Sequence, residues 1–241
     1  MPLGARSIIE EGEDMSVAEN IAQVRACIAE SAKKSGRRAE DIRLVAVSKT
    51  VDLGRIREAL GTGIADLGEN RVQEMMEKMP ELPENVRWHM IGRLQKNKVK
   101  YIIGKTELIH SLCSLEVAAE IERLSAKHGV QTDCLVQINI GREESKAGIA
   151  EEELPAFLEA LAPMKHIRVR GLMAIAPIVE HPEAARPYFA RMKELFDGLP
   201  ETEWVRRDWL SMGMSGDFEV AIEEGANLVR VGSSIFGRRN Y

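Results

Sequence analysis

Aromatic residues make up only 5% of this 241-residue chain, too few to build a platform on which nucleic-acid bases stack. Positive charge is not in excess either. Lys and Arg number 33 against 38 Asp and Glu, a net charge of −5, which argues against a nucleic-acid partner. Long apolar runs are missing, and no segment approaches the roughly 18 residues of a membrane span, so no membrane partner is expected. Cysteine is limited to Cys27, Cys113 and Cys134, far apart and with no CxxC pair. That excludes a disulfide framework and a zinc ribbon, and reads as buried free thiols in a reducing compartment. The first fifteen residues, MPLGARSIIEEGEDM, have no apolar signal-peptide core and carry four acids. Residues 1–15 are therefore expected to be a mobile tail, residues 16–241 the folded unit, and the location cytoplasmic.

What is present is a repeating pattern. Val17, Ile21, Val24, Ile28 and Ala32 recur at helical spacing, with Ser16 and Glu19 as a capping box and Gly36 as a stop. Short apolar runs then alternate with amphipathic stretches. The runs are Ile42–Ser48, Ile64–Leu67, Val86–Ile91, Leu108–Leu112, Cys134–Ile140, Val169–Ala174, Leu210–Met212 and Leu228–Val231. The stretches between them predict helices from about Asp52 to Leu60, Asn70 to Met79, Gln95 onward, Leu115 to His128, Glu151 to Leu161, Glu183 to Leu199 and Phe218 to Glu224. Eight such units in this length suit one α/β domain, a single (β/α)₈ TIM barrel. Only ten residues follow the last run, so the N-terminal helix is expected to cover the place of a full eighth helix.

In such a barrel the chemistry sits at the C-terminal ends of the strands. Lys49 ends the first run, in LVAVSKT, where a lysine is either a solvated end marker or a nucleophile. The other ends carry Asn70 in GEN, His89, His110, Asn139, Met173-Ala174, Ser211-Met212-Gly213, and Arg230 with Gly232-Ser233-Ser234. A glycine-serine turn after a barrel strand offers N–H groups and hydroxyls to an anion. Two of them, on adjacent strands and across from a lysine, point to a phosphate. Lysine, phosphate cup and arginine in one mouth suggest pyridoxal 5′-phosphate, which takes a lysine amine as a Schiff base and needs a group facing its pyridine nitrogen.

The segments LVAVSKT, DLGENRVQE, WHMIGRLQKNK, INIGREESKAGI, RGLMAIAP and LSMGMSGDFEVAIEEGANLVRVGSSIFG resemble, in order, the YggS family of pyridoxal phosphate homeostasis proteins. The resemblance runs from about Ser16 to Tyr241, with a leucine in DLGEN where the family usually has an aromatic. It implies a fold-type III barrel like that of alanine racemase, without the C-terminal β domain. It also implies the cofactor on Lys49, phosphate contacts from Ser211, Gly232 and Ser233, Arg230 near the pyridine nitrogen, and Asn70 beside the ring.

Other polar residues have plainer readings. His89 and His110 read as core or supporting histidines, Lys96, Lys98 and Lys100 as a solvated helix face, and Met173 as packing against the site floor. Glu143, Glu144 and Lys146 form a polar loop, with Lys146 expected at the surface and a second amine at the mouth as the alternative. No metal site is expected. The function that follows is a carrier of pyridoxal phosphate that takes part in vitamin B6 homeostasis without appreciable amino-acid turnover. The alternative is a fold-type III enzyme such as an amino-acid racemase, and no second acid or base opposite Lys49 stands out to support it. A cofactor-free Schiff-base aldolase does not call for the paired phosphate turns. Expected partners are the cofactor, cofactor-requiring apoenzymes and free amino acids, with the chain acting as a monomer.

Overall fold

The structure is a computed structural model and describes residues 15–143 and 146–237; the tail at positions 1–14 and Glu144 lie outside the described residues. Helix α1, Val17–Lys34, begins at the expected capping box. Ser16 Oγ accepts the Glu19 N–H at 3.2 Å and the Glu19 carboxylate accepts the Ser16 N–H at 2.9 Å. Its buried stripe of Val17, Ile21, Val24 and Ile28 turns one face inward.

The strands are β1 Arg43–Val47, β2 Asp66–Glu69, β3 Arg87–Met90, β4 Leu108–Leu112, β5 Thr132–Ile138, β6 Ile167–Ala174, β7 Val205–Ser211 and β8 Leu228–Val231. They pair in parallel in that order, and β8 returns to β1 with Val45 opposite Arg230, closing the barrel. Between them lie α2 Leu53–Gly61, α3 Val72–Lys78, α4 Val99–Ile102, α5 Leu115–His128, α6 Leu154–Leu161, α7 Arg186–Asp197, α8 Phe218–Glu223 and, after β8, the single turn α9 Ser233–Phe236. Since α9 is one turn long, α1 packs against α2, α8 and α9. The N-terminal helix thus takes the place of a full eighth helix, as its position in the sequence suggests.

Two segments differ from the reading of the sequence. Strand β7 starts at Val205, five residues before the apolar run. Arg206, Arg207 and Asp208 disguise it: the two arginines are exposed at the start of the strand, and Asp208 pairs with Arg170 of β6 at 2.6 Å. The basic stretch after Gln95 is a 3₁₀ turn, Lys96–Lys98, followed by one turn of α4. Lys98 and Lys100 hang over the Tyr101 ring and Lys96 pairs with Glu116, a solvated face. Of the thiols, Cys134 is buried while Cys27 and Cys113 are only partly so. Among the described residues no helix is long and apolar enough to cross a membrane, and no His, Cys, Asp or Glu group could hold a metal ion.

Candidate functional site

The mouth at the C-terminal end of the barrel opens into a cavity of about 540 Å³. Lys49, Asn70, Arg230, Gly232 and Ser233 all line it, so five of the six candidate residues meet in one place. Its charge is one-sided. Lys49, Arg93, Lys146 and Arg230 face it, and among the described residues no carboxylate lines it. In a chain of net charge −5, that concentration of cations marks a site for an anion.

Lys49 is the second residue beyond β1, and its neighbours are held firmly. Lys78, buried, donates to the Ser48 carbonyl at 2.7 Å, to Glu69 at 2.9 Å and to Glu74 at 2.6 Å. Ser48 Oγ donates to the same Glu69 oxygen at 2.7 Å, and the Thr50 N–H donates to the Glu74 carboxylate. Burial pushes the Glu69 carboxyl up, against the pull of Lys78. Thr50 sits at φ +60°, a left-handed conformation that costs a β-branched residue on the order of 1–3 kcal/mol. The buried ion cluster holds that strain in place, and the turn presents Lys49 to the cavity. Among the described residues Lys49 Nζ makes no hydrogen bond or ion pair.

Asn70 comes from the loop after β2, and the next loop crowds against it. A Cβ on Gly92 would lie 2.2 Å from the Asn70 carbonyl oxygen, so only glycine lets the two loops meet there. Across the mouth, Lys146 donates to Glu143 at 2.6 Å and to the Ala176 carbonyl at 3.2 Å. The polar loop after β5 thus folds toward the cavity. Asn139 braces it, donating to the Glu143 carbonyl and accepting the Glu143 N–H.

Arg230 is 4% exposed and enters the cavity floor from β8. Its guanidinium donates to Ser211 Oγ at 2.5 Å and to the Ala174 carbonyl at 2.9 Å. Burial draws its proton affinity down, to about 10, while Asp217 opposes that fall. It remains a cation at neutral pH.

Ser211 is the candidate that does not reach the cavity. It is fully buried inside the barrel, beneath Arg230 and beside His110 at 3.0 Å. As the last residue of β7 it points inward, and the chain must climb four residues further before a hydroxyl meets the rim. That hydroxyl is Ser215, which lines the cavity. Its Oγ accepts the N–H groups of Gly232 at 3.1 Å and Ser234 at 3.3 Å, joining the two glycine-serine turns into one cup. Gly213, at φ +89°, makes the climb possible, since a Cβ there would strike Ala221 at 2.6 Å. The signal for Ser215 stands in the same GMSG stretch, one turn beyond the residue that the resemblance nominates. Met173 and Ala174 are wholly buried and do not line the mouth; Arg93, which does, stands unremarked inside WHMIGRLQKNK, and Gln137, which also does, lies just before INIGREESKAGI.

A closed parallel barrel with a presented lysine, a floor arginine and a double glycine-serine cup defines a barrel of the alanine-racemase class. Comparison with known proteins agrees and goes further. The family described as alanine racemase, N-terminal domain matches residues 18–240. The pyridoxal phosphate homeostasis protein of Aquifex aeolicus is 43% identical over 228 residues, covering 94% of this chain and all of the relative. The structure of PipY from Synechococcus elongatus with PLP bound superposes with a TM-score of 0.78 at 33% identity, over 92% of this chain and all of PipY. Alanine racemase from Corynebacterium glutamicum shares the fold, with a TM-score of 0.67 at 17% identity over 93% of this chain and 64% of the racemase. The chain belongs to the pyridoxal phosphate homeostasis protein family.

Proposed function

We propose that this protein binds pyridoxal 5′-phosphate in the barrel mouth, with the cofactor on Lys49, and takes part in vitamin B6 homeostasis as a carrier. The observation that carries the reading is the cation-lined cavity in which Lys49, Arg230 and the cup of Gly232, Ser233 and Ser215 converge. The donor set fits the group. Pyridoxal phosphate supplies an aldehyde that condenses with a lysine amine, and a dianionic phosphate that needs several donors. The name and 43% identity of the Aquifex relative, and the PLP in PipY, support the same assignment.

Each residue has a task. Lys49 offers its amine from a strained, braced turn. Gly232 and Ser233 offer N–H and hydroxyl donors to the phosphate, with Ser215 in the place first given to Ser211. Asn70 flanks the ring. Arg230 stands at the pyridine nitrogen, and having only donors it cannot take a proton from that atom or serve there as an acceptor. This disfavours electron withdrawal into the ring and with it amino-acid chemistry.

One observation favours an enzyme. Lys146 puts a second amine at the mouth, where a racemase needs a second proton-transfer group. Its Nζ is held by Glu143 and the Ala176 carbonyl, which supports a bracing role instead. The carrier is expected to act as a monomer in the cytoplasm, exchanging the cofactor with apoenzymes and interacting with free amino acids without turning them over.

The purified protein mixed with pyridoxal phosphate should be yellow, and borohydride reduction followed by peptide mapping should place the label on Lys49. A protein that stays colourless sinks the reading. Chiral analysis of L-alanine, L-serine and L-lysine after long incubation separates carrier from enzyme: turnover well above the free cofactor and lost in Lys49→Ala would restore the racemase alternative.

A further inference from the structure

The barrel interior holds a continuous polar line that the binding site does not use directly. At its lower end Asp66 of β2 accepts from Arg43 Nε at 2.8 Å and from Arg87 at 3.0 and 2.6 Å. Asp66 Oδ1 also lies 2.8 Å from His89 Nε2. His89 Nδ1 lies 2.9 Å from His110 Nε2, and His110 Nδ1 lies 3.0 Å from Ser211 Oγ. Ser211 Oγ receives the N–H of Arg230 at 2.5 Å. Both histidines and Ser211 are wholly buried, so no link can be replaced by bulk water.

The direction of every link follows from its ends. Ionised Asp66, ringed by two guanidinium groups, can only accept, so His89 donates from Nε2. A neutral His89 then accepts at Nδ1, which makes His110 the donor from Nε2. His110 in turn accepts at Nδ1, so the Ser211 hydroxyl donates to it. Arg230, which can only donate, closes the other end on the Ser211 oxygen. One proton occupies each link, and the Ser211 hydroxyl donates to His110 while its oxygen accepts from Arg230. Along the whole line the proton of each dipole faces Asp66 and the electron-rich atom faces Arg230. Such aligned bonds reinforce one another in a dry interior.

We infer that Asp66, His89, His110 and Ser211 form a one-way hydrogen-bond chain that positions Arg230 and compensates its buried charge from the opposite end of the barrel. The four are positioning residues. The inference rests on the proposed cofactor site only for what Arg230 faces. Arg230 needs such help, because among the described residues it has no ion-pair partner within 4 Å, and Asp217, the nearest opposing influence, spends its carboxylate on the Met214 N–H at 2.6 Å. Neutral rings are what the chain requires, and burial holds both imidazoles below their ordinary range. The charged groups around them are Asp66, Arg43 and Glu107 on the His89 side, and Arg230, Arg43 and Asp66 on the His110 side.

The test uses the full chain with and without pyridoxal phosphate. In the cofactor-free protein, nitrogen NMR of the imidazoles should place the proton of both His89 and His110 on Nε2, with no titration from roughly pH 5 to 8. A proton on Nδ1 of either ring, or a titration in that window, overturns the chain. In the same protein the Arg230 Nη signals should be resolved, and should merge through faster rotation in Ser211→Ala and His110→Phe. With cofactor, both variants should lose about tenfold in affinity, the cost of one weakened charge-assisted contact, and the pyridine nitrogen resonance should move. Asp66→Asn, which keeps an acceptor but drops the charge, should lose less. Folded Ser211→Ala and His110→Phe proteins with unchanged Arg230 signals reduce the line to packing and defeat the inference. Wild-type protein that binds no pyridoxal phosphate defeats the functional reading instead, and leaves the first two measurements to decide the chain.

Discussion

The protein has two interiors, and they are built on opposite plans. Between the strands and the surrounding helices lies an apolar sheath in which Ile21, Ile56, Met75, Ile102, Ile121 and Phe189 are almost wholly buried. Inside the barrel the apolar cluster is small, Val45, Leu108, Leu135, Met173 and Leu228. The rest of that space belongs to Asp66, His89, His110, Ser211 and Arg230. The sheath is held by apolar contact, although it buries Ser31 Oγ without a partner, while the interior links its polar groups in one hydrogen-bonded line. Stability is therefore concentrated outside the strands and binding inside them, and the two can be separated by experiment.

The sharpest separation comes from the sheath. Phe189→Ala removes a ring buried between α7 and the barrel, and should cost about 3–5 kcal/mol of unfolding free energy. Denaturant unfolding checks this, and the folded fraction should bind cofactor with unchanged affinity. A parallel loss of affinity would show that the two regions are coupled.

Arg230→Ala attacks the interior instead. Loss of a charge-assisted contact is worth about 1.5–3 kcal/mol, or ten- to a hundredfold in cofactor affinity, read by equilibrium titration. Unchanged affinity would mean that the ring nitrogen sits elsewhere.

Acid sharpens the comparison further. In the unfolded chain each imidazole takes up a proton below about pH 6.5, while burial keeps His89 and His110 neutral in the barrel to lower pH. The unfolded state then binds more protons, so stability falls on acidification below that point, by up to about 1.4 kcal/mol per pH unit for each ring. Asp66 acts later. His89 and two guanidinium groups hold its carboxyl well below the usual range, so its share is whole above about pH 4 and is lost only below it. Glu69, pushed up by burial, works in the opposite sense and partly offsets the fall. Unfolding measured between pH 7 and 5 should show a shallower slope in His110→Phe; an unchanged slope removes that ring from the account.

Lys49→Ala should change stability least, within about 0.5 kcal/mol, because the side chain projects into the cavity and holds no other group. Yet it should abolish the yellow colour. A large loss of stability would assign Lys49 to the frame instead of the site.

Much of this was legible before any coordinates. Strands β4 and β8 and helix α5 lie where the apolar periodicity places them, and Lys49, Asn70, Arg230, Gly232 and Ser233 stand at strand ends because period-2 and period-3.6 patterns locate those ends. The first half of β7 was not legible, since a strand that opens Val205-Arg206-Arg207-Asp208 has no continuous apolar run. Ser211 and Ser215 lie four residues apart in one small-residue stretch. Which of them turns inward depends on where β7 stops and on the left-handed bend at Gly213.

The residue order by itself determined the number and kind of elements, the capped first helix and the acidic balance, because these depend on neighbours a few positions away. Closure of the barrel decided the rest. It brought β8 beside β1, so that Arg230 and Lys49 share a cavity, and it set His89, His110 and Ser211 in one line although more than a hundred residues separate the ends of that series. Hydrogen bonds between residues so far apart leave no local pattern, since the spacing that matters is measured across a closed sheet and not along the chain.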